Sequence, residues 1–235
     1  PILKESLNGD KAVIEQDKMQ HFTLRTLFPS SLRGKTILDV GCGIGSLLDM
    51  LKNVSHRQIG IEPCSPYLES LSERGYEVYP NIFDAEKYYR NSIDYGFSIQ
   101  VIEHVESPRE FLEGIKKLIK PGGRVLISTP NRNDILMTLL KKEFFPFFYR
   151  TQHRWYFDKS SLTICAEQAG FKVDNVKFVH RYGMSNTIAW LRDKKPTGFN
   201  KLPGIAMTAD NLWSTYLEQS EQSDCLYIEL ILPTN

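Results

Sequence analysis

From Thr36 to Thr129 short apolar runs alternate with amphipathic stretches, the rhythm of a parallel sheet whose strands are joined by helices. Thr36 to Val40 is an apolar run that stops at glycines, as a strand buried on both faces does. Ser46 to Lys52 predicts a helix, Arg57 to Glu62 a second strand, and Pro66 to Arg74 a second helix closed by Gly75. Glu77 to Tyr79 is a brief third strand and Ile93 to Ile99 a fourth. Pro108 opens a helix running to Ile119, since proline lacks only a donor that the first helical turn leaves unused. Pro121-Gly122-Gly123 reads as a tight turn feeding a fifth strand, Arg124 to Thr129.

After Pro130 the rhythm changes. Asp134 to Tyr149 predicts one inserted helix ending in aromatics, and Ser160 to Ala169 another that Gly170 stops. Strands at Phe171 to Val179 and Leu226 to Leu232 close the chain around a stretch rich in proline and glycine, with a helix from about Asp210 to Ser220. Ahead of the first strand, helical spacing runs from about Val13 to Leu27. The alternation predicts an α/β fold with helices on both faces of the sheet. The economical organisation is a single domain over residues 1–235, with lid-like insertions at about 131–157 and 183–222.

At 235 residues, 41% of them apolar and 24% charged, the chain is long enough for a core that needs no cross-links. A net charge of +1 without a basic face argues against a nucleic-acid partner. Cys42, Cys64, Cys165 and Cys225 lie far apart with no C-x-x-C pair, so reduced thiols in a cytoplasmic setting are expected rather than disulfides or structural zinc. No transmembrane segment or signal peptide is expected either.

The chemistry concentrates at Asp39-Val40-Gly41-Cys42-Gly43-Ile44-Gly45, where a strand hands over to a helix. Glycines there allow a sharp turn and let a ligand lie against the main chain. Glu62 ends the next strand, a position from which a carboxylate accepts hydrogen bonds from both ribose hydroxyls of an adenosine. Dinucleotide enzymes bring a pyrophosphate to this turn, and a carboxylate just before it would repel that group. Asp39 suits a cationic ligand such as S-adenosylmethionine, which carries a sulfonium and an amino group and no phosphate.

These residues resemble the class I S-adenosylmethionine-dependent methyltransferases, in the branch of the ubiquinone-biosynthesis O-methyltransferases. The resemblance runs from about Thr36 to Val173 through ordered blocks: LDVGCGIG, GIEP, FDAE, IEHVESP, LIKPGGRVLISTPN, then HRWYF and AGF. It implies a doubly wound, Rossmann-like, seven-stranded and mostly parallel sheet ending in an antiparallel hairpin, with a helical lid insertion; seven strands are predicted above. It implies that Gly41, Gly43 and Gly45, with Asp39 and Cys42, line the methionine and ribose of the cofactor, and that Glu62 holds the ribose. Pro63 and Cys64 would lie beside the adenine, Asp84 at its amine and Ala85 at its ring. Gln100 and Val101 would lie near the sulfonium end, the Gln100 backbone bonding the methionine amine. Some relatives hold a divalent metal with a carboxylate three residues before the Glu-His pair. That position is Gln100 here, a poorer ligand for a hard cation, so no metal is expected.

The cofactor supplies the activated methyl, so the protein must align acceptor, methyl and sulfur, and deprotonate the acceptor if it is a hydroxyl. His104, after the fourth strand, and His153, after the inserted helix, are the candidate bases. His21, His56 and His180 read as structural or exposed, with His21 placed to reach the cofactor from the N-terminal helix. Arg154, Tyr156, Arg181, Tyr182 and Asn186 are candidate acceptor-binding residues. The donors from Arg181 to Asn186 favour a hydroxyl of a sugar or glycan precursor, with a quinone-like phenol or a nitrogen acceptor as the alternative. The aromatic run from Phe144 to Tyr149 has three readings: core packing, a lid over the acceptor, or a peripheral membrane contact. A nicotinamide-dependent oxidoreductase and a non-catalytic cofactor-binding protein are the competing classes.

Overall fold

A computed structural model of the chain describes residues 10–27, 32–195, 198 and 202–234. The elements in chain order are α1 (Asp10–Leu27), β1 (Thr36–Val40), α2 (Ser46–Leu51), β2 (Arg57–Ile61), α3 (Ser65–Glu73), β3 (Glu77–Tyr79), α4 (Ile82–Tyr89), β4 (Ile93–Ile99), α5 (Pro108–Leu118) and β5 (Ile119–Pro130). The second half contains α6 (Ile135–Leu139), α7 (Lys141–Phe148), α8 (Lys159–Gln168), β6 (Lys172–Val179), α9 (Met184–Asp193), α10 (Met207–Gln219) and β7 (Cys225–Ile231). They build a seven-stranded sheet in the order β3-β2-β1-β4-β5-β7-β6. Strands β1 to β5 pair in parallel, and β7 runs antiparallel between β5 and β6.

Side chains alternate across each strand, so one strand feeds two cores. In β1, Leu38 and Val40 join one apolar cluster with Leu112, Ile115 and Leu118 of α5. Ile37 joins another with Leu47 and Leu51 of α2 and Phe97 of β4, against which Met19 and Phe22 of α1 pack. The α5 helix forms because its apolar residues recur at helical spacing and because Ser107 accepts the Glu110 N–H ahead of Pro108. Every one of these burials contributes about 1.5 to 3 kcal/mol for a large aliphatic side chain.

Several predicted elements are corrected. Helix α4, absent from the sequence reading, starts where the Asn81 side chain accepts the Asp84 N–H. The single helix expected from Asp134 to Tyr149 is two, α6 and α7, broken at Leu140 where φ is −137° and ψ is 41°. Pro121-Gly122-Gly123 lies inside β5 as an irregularity, with the register shifting between Ile93 and Tyr95 of the partner strand. Helix α9 was also unpredicted; its first turn is bonded from outside, the Ser185 N–H donating to Asp210 Oδ1 of α10 at 2.8 Å.

Helices α6, α7, α9 and α10 share a separate apolar cluster of Ile135, Leu136, Leu140, Phe144, Phe148, Trp190 and Leu217. Phe144 and Phe148 are therefore core residues, while Phe145 faces solvent. No helix among the described residues is long and apolar enough to cross a membrane.

Candidate active site

Strand order reverses between β1 and β4, and crevices at the carboxyl ends of such strands are where ligands settle in doubly wound sheets. The loop after β1 turns through three left-handed glycines, with φ of +76° at Gly41, +55° at Gly43 and +88° at Gly45. A Cβ on Gly41 would lie 2.5 Å from Val101 Cγ2, so a side chain there is excluded by space as well as by backbone; at Gly43 it would meet only the movable end of Gln16, and the left-handed backbone is the constraint. The Glu62 carboxylate braces the loop: Oε2 accepts the Gly43 N–H and Oε1 the Cys64 N–H, both at 2.8 Å. Each oxygen keeps a lone pair for a ligand.

Asp39, on the Ile37 face of β1, is buried, and its Oδ2 has no hydrogen-bond partner among the described residues. Burial, then the charge of Glu62, pushes its carboxyl up to about 7. An orphan carboxylate behind a glycine cradle fits a ligand that brings a cation.

Two cavities meet here. The first, about 750 Å³, is lined by Gly41, Glu62, Pro63, Ile82, Gln100 and Val101 among others. The second, about 380 Å³, is walled by Phe144, Phe147, Phe148 and Trp190, with Glu103, His104 and His153 at its polar rim and Arg181, Tyr182 and Asn186 also lining it. Gln100 and His104 border both. At Gln100 the backbone takes a φ of +58°, a strained conformation for a residue with a side chain. Its amide nitrogen turns away toward Ser128 Oγ and Cys225 Sγ, each at 3.3 Å.

The histidines are held as a pair. The main chain of the 153–155 segment is stitched to the loop after β4, with the Arg154 and Trp155 N–H groups donating to Glu103 O at 2.8 and 3.2 Å. The rings of His104 and His153 meet edge to face with centroids 4.8 Å apart. His104 Nδ1 lies 2.9 Å from Gln152 O; a carbonyl only accepts, so Nδ1 carries the proton and the neutral ring keeps its lone pair on Nε2. That Nε2 lies 3.9 Å from Glu103 Oε1. Burial, then His104 and Arg150, pull His153 down to about 4, so its ring is uncharged. Burial pushes the Glu103 carboxyl up to about 7.

Not every expected residue reaches a cavity, and Asp39 and Gly43 themselves line neither, standing behind Gly41 and Glu62. Cys42 packs with Leu48 and Leu71 behind the loop, and burial pushes its thiol well above the ordinary range. Gly45 meets Leu71, and Cys64 contributes its N–H to Glu62 rather than a side chain to the cleft. Asp84 is engaged by Asn81 and Lys87 on the outer side of α4, and Ala85 is wholly buried beneath that helix. One turn earlier, Asn81, Ile82 and Phe83 line the cleft instead. Arg154 pairs with Glu106 at the surface, and Tyr156 bonds Arg150 O and stacks near Phe148, behind His153. The expectation that no metal binds rested on Gln100 alone. Ligand-capable atoms of Glu103, His104 and His153 lie within 4.8 Å of one another, a grouping that spacing in the sequence does not reveal.

Residues 14–176 match the family described as a methyltransferase domain. The chain belongs to the class I S-adenosylmethionine-dependent methyltransferases. It is 31% identical over 167 residues to a ubiquinone biosynthesis O-methyltransferase of Aeromonas salmonicida, covering 66% of this chain and 70% of that one. It is 28% identical over 179 residues to the enzyme of that name from Coxiella burnetii, covering 69% and 74%. Its fold matches an S-adenosylmethionine-dependent methyltransferase of Archaeoglobus fulgidus at a TM-score of 0.62 and 16% identity, covering 94% of this chain and all of the other.

The residues present fit S-adenosylmethionine, the cofactor of this methyltransferase family. Asp39 Oδ2 would answer the ammonium, the glycines would provide the cradle, and Glu62 would hold the ribose. Replacing Glu62 by alanine removes both loop braces and the expected ribose acceptor. Calorimetry is expected to show S-adenosylhomocysteine binding weakened by roughly tenfold or more; unchanged affinity would remove Glu62 from the site.

Proposed function

We propose that this methyltransferase transfers methyl to a hydroxyl on an aromatic ring, a phenol-like acceptor. The observation that carries the reading is the cavity beside the cofactor cleft, walled by Phe144, Phe147 and Trp190 and bordered by His104. Flat aromatic walls favour stacking and edge contacts with a ring. The similar proteins from Aeromonas salmonicida and Coxiella burnetii are named as O-methyltransferases of ubiquinone biosynthesis, which supports the same choice.

This replaces the sugar acceptor expected from Arg181 to Asn186. The donors that suggested it are engaged within the protein. Arg181 Nε donates to Asp224 Oδ2 at 2.6 Å, and Asn186 Nδ2 donates to Gly198 O at 2.6 Å.

When bound, S-adenosylmethionine supplies an electrophilic methyl group and leaves as S-adenosylhomocysteine. His104 takes the hydroxyl proton at Nε2 as the oxygen gains its bond to carbon, and Gln152 O holds the ring in the tautomer that leaves this nitrogen open. Glu103 offsets the positive charge that develops on the imidazole. His153, uncharged, adds no competing cation. Phe144 and Trp190 position the ring and exclude water from the hydroxyl's surroundings. The reading includes a cytoplasmic location, supported by four cysteines that are all free thiols.

The test is an acceptor panel scored by release of S-adenosylhomocysteine: catechol and substituted phenols, their hydroxyl-free analogues, a nucleotide sugar and an aromatic amine. Phenols alone are expected to turn over. Release with the nucleotide sugar or the amine, and none with phenols, would overturn the reading.

A further inference from the structure

His180, read from sequence as structural or exposed, follows β6 at the far end of the acceptor cavity from the histidine pair. Between the carboxyl ends of β4 and β6 lie β5 and β7, so the two ends stand about 14 Å apart at the backbone, at about 4.8 Å per strand step. The side chain is 3% exposed, yet it lines the cavity.

Its tautomer follows from its partners. The Asp224 backbone N–H donates to His180 Nδ1 at 3.1 Å, so Nδ1 must offer a lone pair. The Asp224 carboxylate lies farther away, at 3.4 Å, and already accepts from the Arg181 backbone N–H and guanidinium. Burial pulls the His180 ring below the ordinary imidazole range, which keeps it neutral. Nε2 therefore carries the hydrogen, and it is buried with no partner among the described residues. A buried donor without an acceptor is costly unless a ligand completes it.

The opposite end has the complementary deficit. Glu103 Oε2 is a buried carboxylate oxygen with no partner among the described residues. A ring with a hydroxyl at one edge and an oxygen acceptor at the other satisfies both ends. Resting on the aromatic-acceptor reading above, we propose that His180 is a specificity-determining residue: its Nε2–H donates to a second oxygen function of the acceptor, set across the ring from the methylated hydroxyl. The acceptor is thus an oxygenated phenol rather than one with an alkyl or amino group at that position.

Matched probes isolate this contact. With S-adenosylhomocysteine bound, para-hydroxyacetophenone and para-isopropylphenol differ at one edge chiefly by an oxygen, and para-hydroxybenzylamine places a cation there. Calorimetry is expected to show the ketone held about tenfold more tightly than the isopropyl ring by wild type. His180→Phe is expected to abolish the preference, and His180→Gln, which keeps a donor, to retain part of it. Unchanged affinity for S-adenosylhomocysteine in both variants reports an intact fold. Equal binding of the two rings, a preference surviving in His180→Phe, or a tighter grip on the amine would overturn the proposal. Ring-nitrogen NMR gives a check independent of the acceptor: the neutral Nε2-protonated form is expected, and the Nδ1-protonated form or the imidazolium would overturn it. Equal binding with turnover of both rings defeats this inference alone. Neither binding nor turnover of either ring defeats the aromatic-acceptor reading, and this inference with it.

Discussion

Replacing Asp39 by asparagine is expected to stabilise the ligand-free protein at about pH 8 while weakening S-adenosylhomocysteine by roughly 10- to 100-fold. Both effects come from the same buried carboxylate. Burial and Glu62 raise its pKa from 3.8 to about 7. Between those values the native state binds a proton that the unfolded chain has lost, so stability falls as pH rises through that window and stays low above it. Asparagine keeps the shape without titrating, so the fall becomes smaller. It does not vanish, because burial raises Glu103 and Asp134 to about 7 as well. In the complex, the ammonium of the ligand would pair with Asp39 Oδ2 and offset the charge. Losing such a charge-assisted bond costs about 1.5 to 3 kcal/mol, the source of the expected affinity loss. Thermal melts across pH, with and without ligand, separate the two effects. A variant that binds as tightly as wild type would show that the ammonium lies elsewhere.

His104→Ala is expected to lower kcat by about 100- to 10,000-fold on a phenolic acceptor, the usual worth of a positioned base. The loss belongs in kcat rather than KM, since the aromatic walls that hold the ring remain in place. His153→Ala should cost far less, because a ring pulled down to about 4 is a weak base and touches His104 only edge to face. Equal losses in the two variants would point to both rings acting as one unit, and a larger loss at His153 would reverse the assignment.

The parts of this molecule written in local pattern were the ones open to sequence reading. β1 and its glycine turn were visible because Ile37, Leu38 and Val40 must be buried and the left-handed residues that follow must lack a Cβ. Glu62 was visible because its place at a strand end follows from the same rhythm. Helix α9 was hidden because the residue that bonds its first turn, Asp210, lies 25 positions away. Helix α4 had a local start signal in Asn81, masked by a short, tyrosine-rich sequence of weak helical preference. Without that helix, the sequence offered no way to see that Asn81, Ile82 and Phe83, rather than Asp84 and Ala85, line the cleft. His180 needed contact with Asp224, 44 positions on, to fix its tautomer, and no spacing rule reports that. The acceptor class turned on the same kind of contact, since Arg181 and Asn186 look like available donors until Asp224 and Gly198 are seen to hold them.

The most direct test is a crystal structure with S-adenosylhomocysteine and a phenol bound together. The ribose is expected on Glu62, the ammonium on Asp39, the phenolic oxygen within hydrogen-bond reach of His104 Nε2, and the ring between Phe144 and Trp190. A phenol seated away from His104, or a nucleoside that leaves Glu62 and Asp39 without contacts, would contradict the account.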